Sequence, residues 1–323
     1  MSILITGGAG YIGSHVAEQF IDRKYNIIIL DHLKTGHKSL INKKANFIKG
    51  DINNRKLVNN IIKKYNVHSI IHLAAYINVS EAEKNKLKYW NNNVIGTKRL
   101  LSACKNTGVK NFIFSSSCSI YGNTKRSVSE RKKPNPQGYY AYTKFKSEEL
   151  IKQYAKKYKF KYGVFRYFNV AGASNSGKIG QIERHGHLIK NIAIQYFKKK
   201  AIINIFGSDY STKDGTCIRD YMHVSDLANI HIKGLQYLKN NKKSFILNCG
   251  YGKGYSVLEI VNIFKKMKKN LTINYKKRRP GDIAQVYSCT KTLKKLIRWK
   301  PKYNNMNIVI KSAINWEKKL RNY

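Results

Sequence analysis

The chain opens on MSILITGGAGYIGSH, where three glycines recur at a fixed interval directly after an apolar run. The run Ser2–Thr6 predicts a short β-strand, and Gly7, Gly10 and Gly13 lead into a helical pattern. In such a strand–turn–helix, the first glycine permits a tight turn and the second lets the backbone approach a pyrophosphate. The third lets helix and strand pack closely. The pyrophosphate lies against the N–H groups and positive dipole end of the helix, so the opening predicts a dinucleotide site.

An acidic residue ends the second predicted strand. Asp31 follows Gly13 by 31 − 13 = 18 residues. A carboxylate there suits a hydrogen bond to the adenosine ribose diol and repels a 2′-phosphate. The sequence therefore favours NAD over NADP, although Lys34 lies close enough to leave NADP open.

The first half of the chain alternates β-like runs with amphipathic stretches, which predicts a doubly wound, parallel α/β sheet. The β-like runs lie at 2–6, 26–31, 46–49, 69–73, 111–115 and 162–166, and the helical stretches at 14–23, 55–65, 94–107 and 142–157. After about residue 170 this alternation loosens, and loops rich in Gly, Ser and Asp appear. We expect a Rossmann-like NAD-binding domain over 1–170. A smaller α+β substrate domain should follow over 171–323, with some later segments returning to the first sheet.

The net charge of +45 is the balance expected of a protein that binds nucleic acid or an anionic membrane. However, the lysines are spread along the whole chain beside many Asn and Ile residues, as AT-rich codon usage would produce. We therefore expect no specific nucleic-acid partner. No apolar run approaches the roughly 20 residues that a bilayer requires, so we expect no membrane partner.

The cysteines lack the CxxC spacing typical of redox or zinc sites; they are Cys104, Cys118, Cys217, Cys249 and Cys289. An odd number without a pairing pattern indicates free thiols in a reducing compartment. The first predicted strand begins at once, without a charged n-region or a cleavage site, so we expect no signal peptide. Both features predict a cytoplasmic protein.

A tyrosine and a lysine four residues apart lie in GYYAYTKFKSEELI. On a helix Tyr140 and Lys144 share a face, so the phenol and the ammonium can reach one site. Lowering a tyrosine pKa from about 10 to about 7 takes roughly 4 kcal/mol, about the effect of one cation at 4 Å in an effective dielectric near 20. Lys144 and a positively charged nicotinamide ring could provide it. Because Tyr142 and Lys146 have the same spacing, spacing alone does not choose between the pairs.

Three serines, Ser115, Ser116 and Ser117, end the strand that begins near residue 111. Ligands bind at the carboxyl edge of a doubly wound sheet, so a hydroxyl there can contact the substrate oxygen that the tyrosine deprotonates. A serine hydrolase is not indicated, because the sequence has no GxSxG motif.

These motifs together resemble the extended short-chain dehydrogenase/reductase family: GGAGYIG at 7–13, SSS at 115–117, the Tyr140/Lys144 pair and RYFN at 166–169. The run IFGSDYSTKDGTCIRDYMHVSDLA at 205–228 and RRPGD at 278–282 are similar to segments with which the family's UDP-glucose 4-epimerases hold a UDP-sugar. The resemblance covers essentially the whole chain. It implies an NAD-dependent epimerase that interconverts UDP-glucose and UDP-galactose at C4 through a transient 4-keto sugar.

The resemblance also implies roles for individual residues. Ser117 and Tyr140 match the catalytic hydroxyls, and Lys144 matches the lysine that binds nicotinamide ribose and lowers the tyrosine pKa. Glu148 matches an acid usual in the family, which favours Tyr140 over Tyr142. The implied NAD contacts are Gly7, Gly10, Tyr11, Ile12, Gly13, Asp31, Asp51, Ile52, the strand end 73–77 with Leu73, Ala74 and Ala75, Asn93, Tyr140, Lys144 and Phe168. The implied substrate contacts are Ser117, Tyr140, Asn169, His187, Leu188, Phe206, Arg219, Arg279 and Asp282.

The family offers rival activities. Its nucleotide-sugar 4,6-dehydratases carry an Asp-Glu pair where this chain has Cys118 and Ser119, which argues against dehydration. Val286 matches a position that limits sugar bulk, so UDP-GlcNAc is a second expected substrate, although the neighbouring Tyr287 leaves that register open. A uronate epimerase, a decarboxylase and a non-catalytic NAD-bound protein also stay open.

Two further expectations concern metal and assembly. Glu183, His185 and His187 are three donors on one loop, which is more typical of surface or substrate contacts than of a metal site, so we expect no metal. The family resemblance implies a homodimer.

Overall fold

The computed structural model describes residues 1–183, 187–241, 243–279 and 281–321. Within these residues, seven parallel strands form the main sheet, in the order β3-β2-β1-β4-β5-β6-β11 from edge to edge. The strands are β1 (Ser2–Thr6), β2 (Asn26–Asp31), β3 (Asn46–Lys49), β4 (Val67–His72), β5 (Asn111–Ser117), β6 (Lys161–Tyr167) and β11 (Phe245–Cys249). The strand order reverses between β1 and β4, which in this architecture places a ligand cleft at their carboxyl ends. The predicted Rossmann-like sheet is confirmed.

Helices cover both faces of this sheet, which explains why its central strands are apolar throughout. One face is covered by α1 (Tyr11–Ile21), α8 (Val224–Asn241) and α10 (Lys291–Ile297), which pack with Trp299 into one core. The other face is covered by α2 (Arg55–Lys64), α5 (Gly96–Ala103) and α6 (Tyr139–Tyr158). Two short helices, α3 (Val79–Lys84) and α4 (Lys86–Tyr89), precede a π-helical turn at Trp90–Ile95.

A smaller unit packs around its own core from α7 (Leu188–Tyr196), α9 (Val257–Met267) and α11 (Met306–Arg321). Its short strands are β7 (Asn169–Ala171), β8 (Ala201–Phe206), β9 (Ile218–Arg219), β10 (Tyr221–His223), β12 (Tyr255–Ser256), β13 (Leu271–Lys276) and β14 (Gln285–Val286). They pair as β7 with β10, β8 with β13, and β9 between β12 and β14. The chain then returns to the first unit twice, because β11 pairs with β6, and α10 packs on the first core.

The opening turn requires glycine for identifiable steric reasons. Gly7 has a φ of +75°, and a Cβ there would lie 2.6 Å from the backbone N of Ala74. A Cβ on Gly13 would lie 2.1 Å from the carbonyl oxygen of Gly7, so this glycine lets α1 pack directly on the turn. A Cβ on Gly10, the N-cap of α1, would meet nothing closer than 3.3 Å. Its missing side chain leaves room above the helix N-terminus.

The predicted element boundaries are wrong in two places that matter for the site. α6 begins at Tyr139 rather than near residue 142, so Tyr140 lies in its first turn. The helix expected over 94–107 contains a π-helical turn up to Ile95, and that turn carries Asn92 and Asn93. No helix in the described part of the chain is long and apolar enough to cross a membrane.

Candidate active site

A cleft opens at the strand-order reversal, above the first turn. It is lined by Gly7, Gly10, Leu30, Asp31, His32, Thr35, Gly36, Gly50, Ile52, Leu73, Ala74, Ala75, Tyr76 and Asn92. Asp31 is fixed at the end of β2, because its carboxylate accepts hydrogen bonds from the backbone N–H groups of Ala9 (3.1 Å) and Leu33 (2.9 Å). The cleft therefore combines a glycine cradle, a helix N-terminus and an oriented carboxylate, which fits a dinucleotide.

Other predicted cofactor residues lie beside this cleft rather than in its lining. The Tyr11 hydroxyl donates to the carbonyl of Gly172 (2.6 Å), and burial raises the pKa of this phenol well above its ordinary value. Ile12 packs against the first core, and Asp51 accepts two hydrogen bonds from Asn53. Phe168 belongs to an apolar cluster with Cys118 and Val286.

Asn93 ties three elements together from the π-helical turn. Its side chain accepts from the N–H of Tyr76 (2.9 Å) and donates to the carbonyl of the same residue (3.0 Å). Its own carbonyl accepts from the hydroxyls of Thr97 and Ser147, the second of which lies on α6. Asn93 therefore holds the segment after β4 against the helix that carries Tyr140.

Tyr140, Lys144 and Ser117 come together where β5 meets α6. Ser117 lies close enough to Tyr140 for its hydroxyl to act on the phenol, in the direction that lowers the pKa of Tyr140. Lys144 is buried; its ammonium donates to the carbonyl of Ser115 (2.8 Å) and lies 4.9 Å from the ring centroid of Phe114. The rival pair is on the surface instead, where Tyr142 is exposed and stacked on Trp90.

The expected lowering of the Tyr140 pKa is not found in the protein alone. Burial raises the pKa of Tyr140 above its ordinary value, and the hydrogen bond from Ser117 opposes this only in part. Burial also lowers the pKa of Lys144 to about 7, while the Glu148 carboxylate acts in the opposite direction. The physical reason is that desolvation disfavours the charged form of both groups. A neutral phenol therefore faces a partly protonated amine.

A buried ion pair holds the helix that carries Tyr140 and Lys144 in place. Arg166 on β6 donates to both carboxylate oxygens of Glu148 on α6, at 3.0 and 2.7 Å. Ser116 donates to Glu148 (2.6 Å), Arg166 donates to the hydroxyl of Tyr121 (2.7 Å), and Tyr121 donates to Asn248 on β11 (2.8 Å). This Glu148–Arg166 network fixes α6 against β5 and β6 within a turn of Lys144.

Four predicted substrate residues form two clusters, which involve Arg279 and residues 281–284. The Arg279 guanidinium lies 3.8 Å from the ring centroid of Phe206, at the end of β8. Arg219 on β9 pairs with Asp282 (3.5 Å) and donates to the carbonyls of Ile218 and Ala284. Each cluster thus carries one guanidinium, a group suited to bidentate binding of phosphate oxygens.

The remaining predicted substrate residues lie around β7 and α7. The N–H of Asn169 donates to the carbonyl of Asp220 (2.9 Å), and Leu188 begins α7. His187 accepts from Gln181 through Nδ1 (2.6 Å), and Glu183 pairs with His37 (2.7 Å). His185 lies outside the described residues. Among the residues that are described, no three His, Cys, Asp or Glu side chains gather as a metal site.

Val286 links the two halves of the site. It pairs with Arg219 in the β9–β14 register and packs in the apolar cluster with Cys118 and Phe168. Cys118 follows Ser117 directly, so this apolar cluster joins the end of β5 to the strand that carries Arg219. The side chain at position 286 forms part of the wall that this cluster makes.

Comparison with known proteins agrees with this geometry. The model of the NAD dependent epimerase/dehydratase family matches residues 3–250. The chain belongs to this family. A UDP-glucose 4-epimerase from Lactobacillus helveticus is 40% identical over 324 residues, covering 98% of this chain and 97% of the relative. The predicted family and NAD cofactor are thereby confirmed.

Two solved structures are also similar to the whole chain. UDP-glucose 4-epimerase from Bifidobacterium longum, in complex with NAD⁺ and UDP, has a TM-score of 0.91 at 29% identity and covers 100% of this chain and 99% of its own. The UDP-Glc/GlcNAc 4-epimerase from Campylobacter jejuni has a TM-score of 0.84 at 38% identity, with 98% and 99% covered.

Sequence reasoning missed part of the cleft lining. His32, Thr35 and Gly36 follow Asp31 and line the cleft, as do Gly50 and Asn92. The sequence carries no local pattern that marks Gly36, whose close approach to Asp31 is visible only in the fold. A Cβ at Gly36 would lie 2.8 Å from the Asp31 carboxylate.

The buried ammonium of Lys144 should cost stability. Between pH 7 and about 10.5, Lys144 keeps its proton in the unfolded chain and loses it in the folded chain. The cost to the free energy of unfolding is therefore greatest below pH 7 and decreases as the pH rises. We expect Lys144→Met to stabilise the protein without added cofactor by roughly 2–4 kcal/mol at about pH 6, and by less at higher pH. Urea unfolding at several pH values measures this difference.

Lys146→Met is the matched control, because Lys146 lies on the same helix in a surface pair with Glu149. Its unfolding midpoint should stay close to that of the wild type at each pH. A Lys144→Met protein less stable than the wild type near pH 6 would contradict the predicted cost.

Proposed function

We propose that this chain interconverts UDP-glucose and UDP-galactose by inverting C4 of the sugar, with Tyr140 as the base. The observation that carries the proposal is the Ser117–Tyr140–Lys144 cluster, at the carboxyl edge of a sheet whose opening turn fits a dinucleotide. The family and its similar UDP-glucose 4-epimerases support the same reaction.

The chain's own residues would hold NAD across the sheet edge. The turn from Gly7 to Gly13 takes the pyrophosphate at the N-terminus of α1, and Asp31 takes the adenosine ribose. Lys144 takes the nicotinamide ribose. Residues 1–170, together with the returning strand β11 and helices α8 and α10, make up the NAD-binding unit in this proposal.

Tyr140 removes the proton from the 4-hydroxyl and later returns it, while the Ser117 hydroxyl stabilises the Tyr140 phenolate by donating a hydrogen bond to it. NAD⁺, when bound, would supply the hydride acceptor and donor for C4 and would add positive charge near the phenol. Burial in the protein keeps Tyr140 protonated. Tyr140 would therefore ionise, and act as a base, only when substrate and cofactor are bound.

The remaining predicted residues would hold the UDP-sugar. Arg219 and Arg279 take the diphosphate as planar, permanently charged donors. Phe206 lies against Arg279 and Asp282 against Arg219. The sugar and base contacts are then left to Asn169, His187 and Leu188, and the 4-keto sugar must turn within the space between these residues and Ser117.

The direct test is turnover of UDP-galactose to UDP-glucose by the purified protein, without and with added NAD. We expect turnover in the wild type and a loss of at least about 100-fold in Tyr140→Phe, because general-base catalysis contributes 10²–10⁴-fold. Bound NAD, measured after release by denaturation, should be unchanged in the variant.

Tyr142→Phe is the control, because it removes the hydroxyl of the surface tyrosine at the same spacing; it should keep full activity. Equal turnover in Tyr140→Phe and wild type would refute Tyr140 as the base. NAD binding without any sugar turnover in the wild type would favour the rival function, a non-catalytic NAD-bound protein.

UDP-GlcNAc is a second candidate substrate, favoured by the small side chain of Val286 in the wall shared with Phe168 and Cys118. We expect the wild type to epimerise both sugars. Val286→Phe fills that wall and should reduce turnover of UDP-GlcNAc about tenfold more than that of UDP-glucose, since steric discrimination of this kind is worth 1–3 kcal/mol. Val286→Ile should affect the two sugars alike. A wild type that turns over UDP-glucose alone rules this candidate out.

The chain is also proposed to form a homodimer in the cytoplasm. An exposed apolar patch consists of Leu87, which is 71% exposed, Tyr142 and the Trp90 ring stacked on it at 6.2 Å. A second copy would bury this patch. Sedimentation should give a dimer, and Leu87→Lys should shift it toward monomer, whereas Ile308→Lys, on exposed α11 surface, should not. A monomeric wild type would rule out the dimer.

The free cysteines fit a reducing compartment, which cell fractionation tests.

A further inference from the structure

Ser117 makes more hydrogen bonds than a catalytic hydroxyl needs. Its Oγ accepts from the backbone N–H of Ser119 (3.2 Å) and from the Ser119 hydroxyl (2.9 Å). Ser119 can do both because Ser117 is the N-cap of the short 3₁₀ turn Cys118–Tyr121, which folds Ser119 back over it.

These two donors determine what Ser117 can do. A serine hydroxyl has one proton and two lone pairs. Ser119 occupies both lone pairs, so the remaining capacity of Ser117 is its own proton, which is available to the neighbouring Tyr140. In this state Ser117 cannot accept a hydrogen bond from a sugar hydroxyl.

We propose that Ser119 is a positioning residue that makes Ser117 a donor only, so that the 4-hydroxyl proton of the sugar passes directly to Tyr140 rather than through Ser117. This inference rests on the proposed function. In the transfer, the O–H bond of the sugar breaks and an O–H bond to the Tyr140 oxygen forms. Ser117 keeps its own proton throughout. In the return step the same proton goes back by the same route.

Ser119 would also lower the pKa of Tyr140 through Ser117. Donation into the Ser117 oxygen polarises its O–H bond, and a more polarised O–H stabilises the Tyr140 phenolate more strongly. Removing the Ser119 hydroxyl should therefore raise the pKa of Tyr140. It should also leave Ser117 with an open lone pair that competes with Tyr140 for the sugar proton.

The test is a double-mutant cycle on the NAD-loaded protein with Ser117→Ala, Ser119→Ala and their combination. The main readout is the pKa of Tyr140, taken from tyrosinate absorbance as the difference between each protein and its Tyr140→Phe counterpart. We expect Ser119→Ala to raise this pKa by about half a unit or more and to lower kcat for UDP-galactose about tenfold, with KM within about twofold, as loss of one hydrogen bond would do. In the Ser117→Ala background, Ser119→Ala should change neither quantity further.

Two variants separate positioning from folding. Ser119→Thr keeps the hydroxyl and should restore both the pKa and kcat, and Ser80→Ala, at an exposed serine on α3, should change nothing. A Tyr140 pKa that Ser119→Ala leaves in place, or an equal shift with and without Ser117, overturns the proposal. If the wild type turns over no UDP-sugar, the proposed function fails, yet the pKa cycle still decides whether Ser119 acts through Ser117.

Discussion

The Glu148–Arg166 ion pair is the interaction on which the site depends, because it fixes the helix that carries Tyr140 and Lys144 against strands β5 and β6. Both side chains are almost completely buried, and each carboxylate oxygen has an Arg166 donor. A buried pair contributes little net stability, but removing one partner leaves a charge that costs about 3–5 kcal/mol. The pair therefore enforces one position of α6 rather than strengthening the fold as a whole.

Lys144, in contrast to the ion pair, lowers the stability of the fold. Its ammonium is held in a place that disfavours its charge, and Glu148, one turn further along, partly compensates. The same helix thus carries a buried ammonium that lowers the stability of the fold and a carboxylate that limits this cost. Trade-offs between stability and activity of this kind are common at active sites.

The sequence was sufficient for the sheet and the glycine turn, because alternation of apolar runs and the Gly7–Gly10–Gly13 interval are local patterns with steric causes. It was less informative where contacts are distant. β11 joins the sheet from residue 245 onward. Strands β7, β9, β10, β12 and β14 have only two or three residues each, too few for a period to appear. Likewise, spacing offered Tyr140/Lys144 and Tyr142/Lys146 equally. The burial that distinguishes the two pairs, and that raises the Tyr140 pKa, depends on packing that spacing does not encode.

The late position of β11 also bears on how the molecule is made. Strand β6 has β5 on one side, and its other edge is covered only by residues 245–249. While the ribosome is still producing the intervening segments, a nascent chain with β1 to β6 presents an open, apolar strand edge that could pair with a neighbour. Chaperone protection of this interval would matter more here than in a protein whose sheet is contiguous in sequence.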